Sequence, residues 1–195
     1  SSAMFAGRGT YGWGGSWGGD AYHVLQYAHF QPEIIYEETI LEKGLEGYKA
    51  LVLTDCDVLP ASVVQKIAEF QRSGGIIVGD DRLCPAVVPD LVLTPYERTK
   101  QADADKAALI ERAKSLGEQL GKRYQGYVAS SVADVLPYWR RYGSSDYLFA
   151  INDRREFGRY VGRHQLVMEQ GLDATAEFRV RRQNGFVYDL VEHRK

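Results

Sequence analysis

A chain of 195 residues, 45% hydrophobic and 26% charged, with a net charge of −2, has the composition of an ordinary globular protein: one domain, or one domain with a smaller appendage. A (β/α)₈ barrel is excluded, since that fold needs about 250 residues. The charge balance does not favour nucleic acid, and no apolar run approaches the roughly 18 residues needed to span a bilayer.

From the N-terminus, Ala3-Met4-Phe5-Ala6 reads as a short strand before a glycine-rich stretch that carries Tyr11, Trp13 and Trp17. Asp20 is placed to cap a helix over 21–30 that Pro32 stops. Glu33-Ile34-Ile35-Tyr36 follows as a strand, then a turn of helix capped by Thr39 and closed by Gly44. Residues 49–54 form a continuous apolar run suited to a central strand buried on both faces. Pro60 opens a helix with Val63, Val64, Ile67, Ala68 and Phe70 at helical spacing, and Gly74-Gly75 ends it before the strand Ile76-Ile77-Val78. Strand, helix, strand in this compass is a βαβ unit. A proline-rich loop then leads to a long amphipathic helix over 105–120.

Beyond Gly126 the period changes from 3.6 to 2. Residues 135–142 and 147–151 read as strands around Gly143-Ser144-Ser145, and 175–182 and 186–191 flank Asn184-Gly185, a hairpin signal. The expectation is therefore an α/β domain over 1–126, a flavodoxin-like, class I amidotransferase-like parallel sheet with helices on both faces, followed by an antiparallel β extension over 127–195. The pattern stops in mid-sheet at Glu192-His193-Arg194-Lys195, which reads as truncation.

Gly7-Arg8-Gly9-Thr10-Tyr11-Gly12 matches GxGxxG, but the third glycine does not open directly into a helix, so no cofactor is expected. Tyr11, Trp13 and Trp17 have two readings: exposed rings that stack on a sugar, or a lid folded back on the core. Asp55, Asp57, Asp80 and Asp81 follow the two best strands, at the carboxyl edge where open α/β sheets bind ligands; they are acid, base or metal-ligand candidates, or else caps and turn formers. Cys56 lacks the sharp elbow and histidine partner of a nucleophile, and Cys56 and Cys84 are both read as free thiols. Arginines interleaved with Tyr138, Trp139, Tyr142 and Tyr160 suggest RNA contacts at first sight, but Asp146, Asp153 and Glu169 among them make a solvated or interdomain face the better reading.

Residues 22–82, above all Tyr48-Lys49-Ala50-Leu51-Val52-Leu53, the helix over 62–70 and Gly74-Gly75-Ile76-Ile77-Val78, resemble the amidotransferase-like trimerisation domain that follows the barrel in β-galactosidases of the family 42 type. Residues 146–153 and Val187-Tyr188-Asp189-Leu190 resemble the start of the β-sandwich that comes next in such proteins. The resemblance implies a non-catalytic accessory and oligomerisation domain of a larger glycoside-hydrolase-like polypeptide, with the catalytic barrel and further copies as partners, carbohydrate as a ligand, and neither nucleic acid nor membrane. It also implies a lost nucleophile, the strand-end position reading Val78-Gly79-Asp80-Asp81. The competing reading is an independent small-molecule hydrolase using the four aspartates and a metal.

Overall fold

The computed structural model describes residues 17–99, 101–161 and 166–194. The expected strand at Ala3-Met4-Phe5-Ala6, most of the glycine-rich stretch with Tyr11 and Trp13, and the segment containing Arg163 and His164 lie outside the described residues. The chain is mixed α and β. Its N-terminal part runs α1 (Trp17–Tyr27), α2 (Glu37–Lys43), β1 (Ala50–Leu53), α3 (Ala61–Arg72), β2 (Ile76–Gly79), β3 (Leu91–Val92) and α4 (Ala102–Leu120).

The βαβ unit forms as its pattern requires: β1 and β2 pair in parallel, with Ala50 opposite Ile76 and Leu53 opposite Gly79. Pro60 immediately precedes α3, and at the other end Gly74 adopts φ +94° to turn the chain out of the helix. Alternation along the strands then distributes two cores. Leu51, Leu53 and Ile77 pack on α2 and α3 through Ile40, Val63, Ile67 and Phe70. Ile76 and Val78, with Ala50 and Val52, pack on α1 and α4 through Ala21, Val24, Leu109, Ala113 and Leu116. Helices therefore do cover both faces of a parallel sheet.

That sheet has three strands in the order β1-β2-β3, and β3, hidden in the proline-rich loop, contributes two residues. Most of the strand structure is antiparallel instead. The expected strand at 33–36 is not one: Ile34 and Tyr36 are exposed, only Ile35 leans on a core, and no strand pairs along the outer edge of β1 among the described residues. Asp20 does not cap α1 but sits inside its first turn, buried, where its carboxylate accepts from Arg98 Nε at 3.0 Å. Likewise Thr39 lies inside α2, whose first turn is stabilised by Glu37 and Glu38 against the helix dipole. α4 starts at Ala102, ahead of the expected 105, because Asp105 is buried in its first turn and gathers the Thr99 N–H at 2.8 Å and the Tyr96 hydroxyl at 2.6 Å.

The C-terminal part comprises β4 (Val128–Ser130), β5 (Val135–Tyr142), β6 (Ser145–Asn152), β7 (Arg155–Val161), β8 (Leu166–Gly171) and β9 (Phe178–Val180). β5 and β6 form the expected hairpin, with Gly143 at φ +56° in its turn. The Asn184-Gly185 hairpin does not form. Residues 178–180 pair with β4 instead, Val128 opposite Val180, while Phe186 and Val187 stay exposed. Asn184 still takes the left-handed conformation its sequence favours, at φ +66°.

This part packs on the α/β unit. Leu136 is buried in the same core as α1 and α4. Around it the Gln26 amide donates to the Tyr138 hydroxyl, the Tyr27 hydroxyl to Asp153 at 2.9 Å, and Lys106 pairs with Asp134 at 3.2 Å.

Candidate functional site

The four aspartates gather as expected at the carboxyl ends of β1 and β2, but geometry assigns Asp80 a task. Its carboxylate is buried and accepts the Asp55 N–H at 2.7 Å and the Arg82 N–H at 3.0 Å, so one side chain ties together the two loops leaving the sheet. The first of these bonds holds Asp55 in the left-handed region, at φ +57°. The Asp55 carboxylate faces Arg82 at 3.4 Å, and Asp57 and Asp81 point outward, exposed. No group of three or more metal-ligating side chains occurs among the described residues.

Cys56 donates its thiol to the Thr54 carbonyl at 3.3 Å, and its own carbonyl accepts the Cys84 N–H at 2.8 Å. Burial, helped by the negative charge of Asp80, pushes this thiol up to about 11. It is a neutral structural thiol at physiological pH.

Trp17 corrects the aromatic-loop expectation. Its indole is 8% exposed and belongs to the α1–α4 core, with Nε1 buried and without a partner among the described residues. At this position the lid reading wins over the sugar-stacking one, because the helix begins at Trp17 and turns the ring inward.

A second concave site lies where the loop after α1 meets the antiparallel part. Here His29, Phe30, Gln31, Tyr124, Tyr127, Trp139, Arg140 and Arg141 line a cleft of about 460 Å³. Two aromatic pairs form its walls: Phe30 with Tyr124, centroids 5.9 Å apart, and Tyr127 with Trp139, 4.2 Å apart. Arg141 lies against both Tyr127 and Trp139, at 5.3 and 5.2 Å from the ring centres.

This wall is fixed by Asp146, which accepts from Arg141 Nε at 2.8 Å, the Tyr127 hydroxyl at 2.8 Å, the Trp139 indole at 3.1 Å and Arg182 at 2.8 Å. The bond from Arg141 outweighs the cost of partial desolvation, and with the other donors it holds the Asp146 carboxyl well below the usual carboxylate range. His29 is committed elsewhere: Nε2 sits 3.2 Å from the Val132 carbonyl, and Nδ1 accepts the Ser130 N–H at 3.3 Å. Burial pushes its imidazole down, and the carbonyls only partly counter this. The sequence singled out Arg140, Arg141 and Trp139 of this wall, but not Tyr127, nor that Gln31, over a hundred positions away, closes the cleft by accepting from Trp139 N–H at 3.2 Å and Arg140 Nη1 at 2.7 Å.

The opposite side of the β5–β6 ribbon presents a surface. Register places Tyr142, Tyr147, Phe149 and Ile151 on one face, together with Arg140, whose guanidinium turns back to the β5 edge and Gln31, and with Leu136 and Tyr138, which α1 and α4 cover. The first four are 81%, 36%, 53% and 49% exposed. The outer edge of β6 pairs with no strand among the described residues. No helix of the described residues is long and apolar enough to cross a membrane. Comparison with family models, curated proteins and solved structures gives no match.

Proposed function

We propose that this chain is a non-catalytic accessory and assembly domain of a larger glycoside-hydrolase-like protein, and that it self-associates through β6. The observation that carries the reading is the β6 edge. Natural sheet edges are blunted by charge, proline or a bulge, whereas Tyr147-Leu148-Phe149-Ala150-Ile151 carries none of these and, among the described residues, runs along an unpaired edge beside an exposed apolar stripe. A two-fold pairing of β6 with β6, centred on Phe149, sets Leu148 against Ala150 and Asp146 against Asn152, so no like charges oppose. It also extends a two-stranded ribbon, marginal by itself, into four strands.

The carbohydrate-active setting is supported by the resemblance of residues 22–82, whose parallel β1–α3–β2 unit has the expected pairing. Asp80, at the position where the related nucleophile would stand, acts as a bracket between loops. The four-aspartate hydrolase reading receives no such support, because Asp80 is already engaged by backbone donors. Sedimentation equilibrium tests the assembly reading. The wild-type chain associates with a micromolar or tighter constant, while the double substitution Phe149→Lys, Ile151→Lys sediments as a monomer with unchanged circular dichroism. A wild-type chain that stays monomeric at high concentration overturns the reading.

A further inference from the structure

We propose that the cleft between Phe30, Tyr124, Tyr127 and Trp139 binds a sugar bearing a carboxylate, a uronic acid, with Arg140 receiving the acid group. The walls supply aromatic faces of the kind on which a pyranose ring lies, and at about 460 Å³ the cleft has room for one or two such rings. Its charge is one-sided. Of the lining residues, Arg140 and Arg141 are cationic and none is acidic.

The two guanidiniums are not equivalent. Arg141 is paired with Asp146 at 2.8 Å, a carboxylate it shares with Arg182, and serves the wall. Arg140 is exposed and bonds only to neutral acceptors among the described residues, the Gln31 side-chain oxygen at 2.7 Å and the Trp139 carbonyl at 2.8 Å. Register sets the Arg140 side chain on the ribbon face opposite Trp139 and Arg141, and its bonds to Gln31 and the Trp139 carbonyl hold the guanidinium at the β5 edge, on the rim of the cleft. A planar guanidinium at that rim, without a carboxylate partner among the described residues, suits a bidentate carboxylate ligand.

Gln31 adds the second polar element. Its oxygen is spent on Trp139 N–H and Arg140, which turns its Nε2 donors away from those partners toward a hydroxyl. A polyanion such as RNA fits less well, since the chain as a whole carries a net charge of −2. The choice of a sugar over other ring carboxylates rests on the carbohydrate-active reading above; the cleft and its charge stand without it. The site lies at the outer edge of β5, where Gln31 bonds, and so is separate from the β6 edge.

Calorimetric titration of the whole chain with D-glucuronate and D-galacturonate, beside D-glucose and D-galactose, tests the proposal. A uronate is expected to bind at least about tenfold more tightly than its neutral parent, as one charge-assisted contact implies. Arg140→Gln, at an exposed position, removes that preference while leaving the dichroism spectrum intact, and Trp139→Leu weakens acid and neutral sugars alike. Equal affinity for acid and neutral sugars, no binding of either uronate at about 10 mM, roughly tenfold above a 1 mM dissociation constant, or binding of uridine monophosphate in their place overturns it. Uronate binding by a chain that stays monomeric upholds this site and sinks the assembly reading; a dimer that binds no uronate does the reverse.

Discussion

Replacing Asp80 by alanine probes whether the carboxyl edge of the parallel sheet is a structural joint or a reaction centre. In the fold, the carboxylate takes two backbone N–H groups, from Asp55 at 2.7 Å and Arg82 at 3.0 Å. A hydrogen bond to a charged group contributes about 1.5–3 kcal/mol. Both donors sit in loops that water can reach once the side chain is gone, and the carboxylate's own burial cost is recovered, so the lower half of that range applies. Two bonds then give a net loss of about 3 kcal/mol. Asp55 also loses the contact that holds its left-handed backbone, a conformation that costs an L-residue about 1 kcal/mol.

With a urea m-value of about 2 kcal/mol/M, the unfolding midpoint of Asp80→Ala should fall by about 1.5 M. Asp80→Asn keeps one acceptor oxygen and should lose about half as much. Because the Asp80 charge helps raise the Cys56 thiol, both variants should also lower the pH at which that thiol ionises. A midpoint unchanged within error in Asp80→Ala would refute the bracket and reopen the catalytic reading of the aspartates.

Trp17→Ala should cost about 3–5 kcal/mol, the range for truncating a buried aromatic, whereas Trp17→Phe, which also removes the buried Nε1, should cost under about 1.5 kcal/mol; a thermal midpoint unmoved by the alanine change would restore the exposed-ring reading. In a Cys84→Ser background, thiolate absorbance should show Cys56 ionising near pH 11 in the folded chain, with a titration near pH 8 contradicting its burial. Since the folded value lies above the ordinary 9.0, the contribution of Cys56 to stability is full below pH 9 and is lost as pH rises from 9 toward 11.

Local pattern made the βαβ unit legible. An apolar run at 50–53, a proline-opened helix and a Gly-Gly stop depend on neighbours in sequence, and all three formed close to the expected positions. The same holds for the β5–β6 hairpin, whose turn is local. What escaped were choices among distant partners. Residues 178–180 found β4 instead of the adjacent segment beyond Asn184-Gly185, and residues 33–36 found no strand at all. β3 is too short to carry a periodic signal.

The sites divide in the same way. That aspartates would collect at the carboxyl edge followed from strand direction; that Asp80 would be consumed by two N–H groups follows only from three-dimensional closure. The cleft joins positions 29–31, 124–128 and 139–141, so no window of sequence contains it. A partial signal was present in Asp146, which is in register with Arg141 and whose acid among the arginines marked a built network more than a solvated face.

Hydrogen exchange along β6 tests the assembly claim most directly. Trp139 N–H donates to Gln31, away from β6, so in the antiparallel alternation the Leu148 and Ala150 amides face the outer edge. Self-association through that edge predicts that these two amides are protected at high protein concentration and lose protection on dilution, while the Phe149 amide, bonded to β5, changes little. Rapid exchange at Leu148 and Ala150 that does not depend on concentration would contradict it.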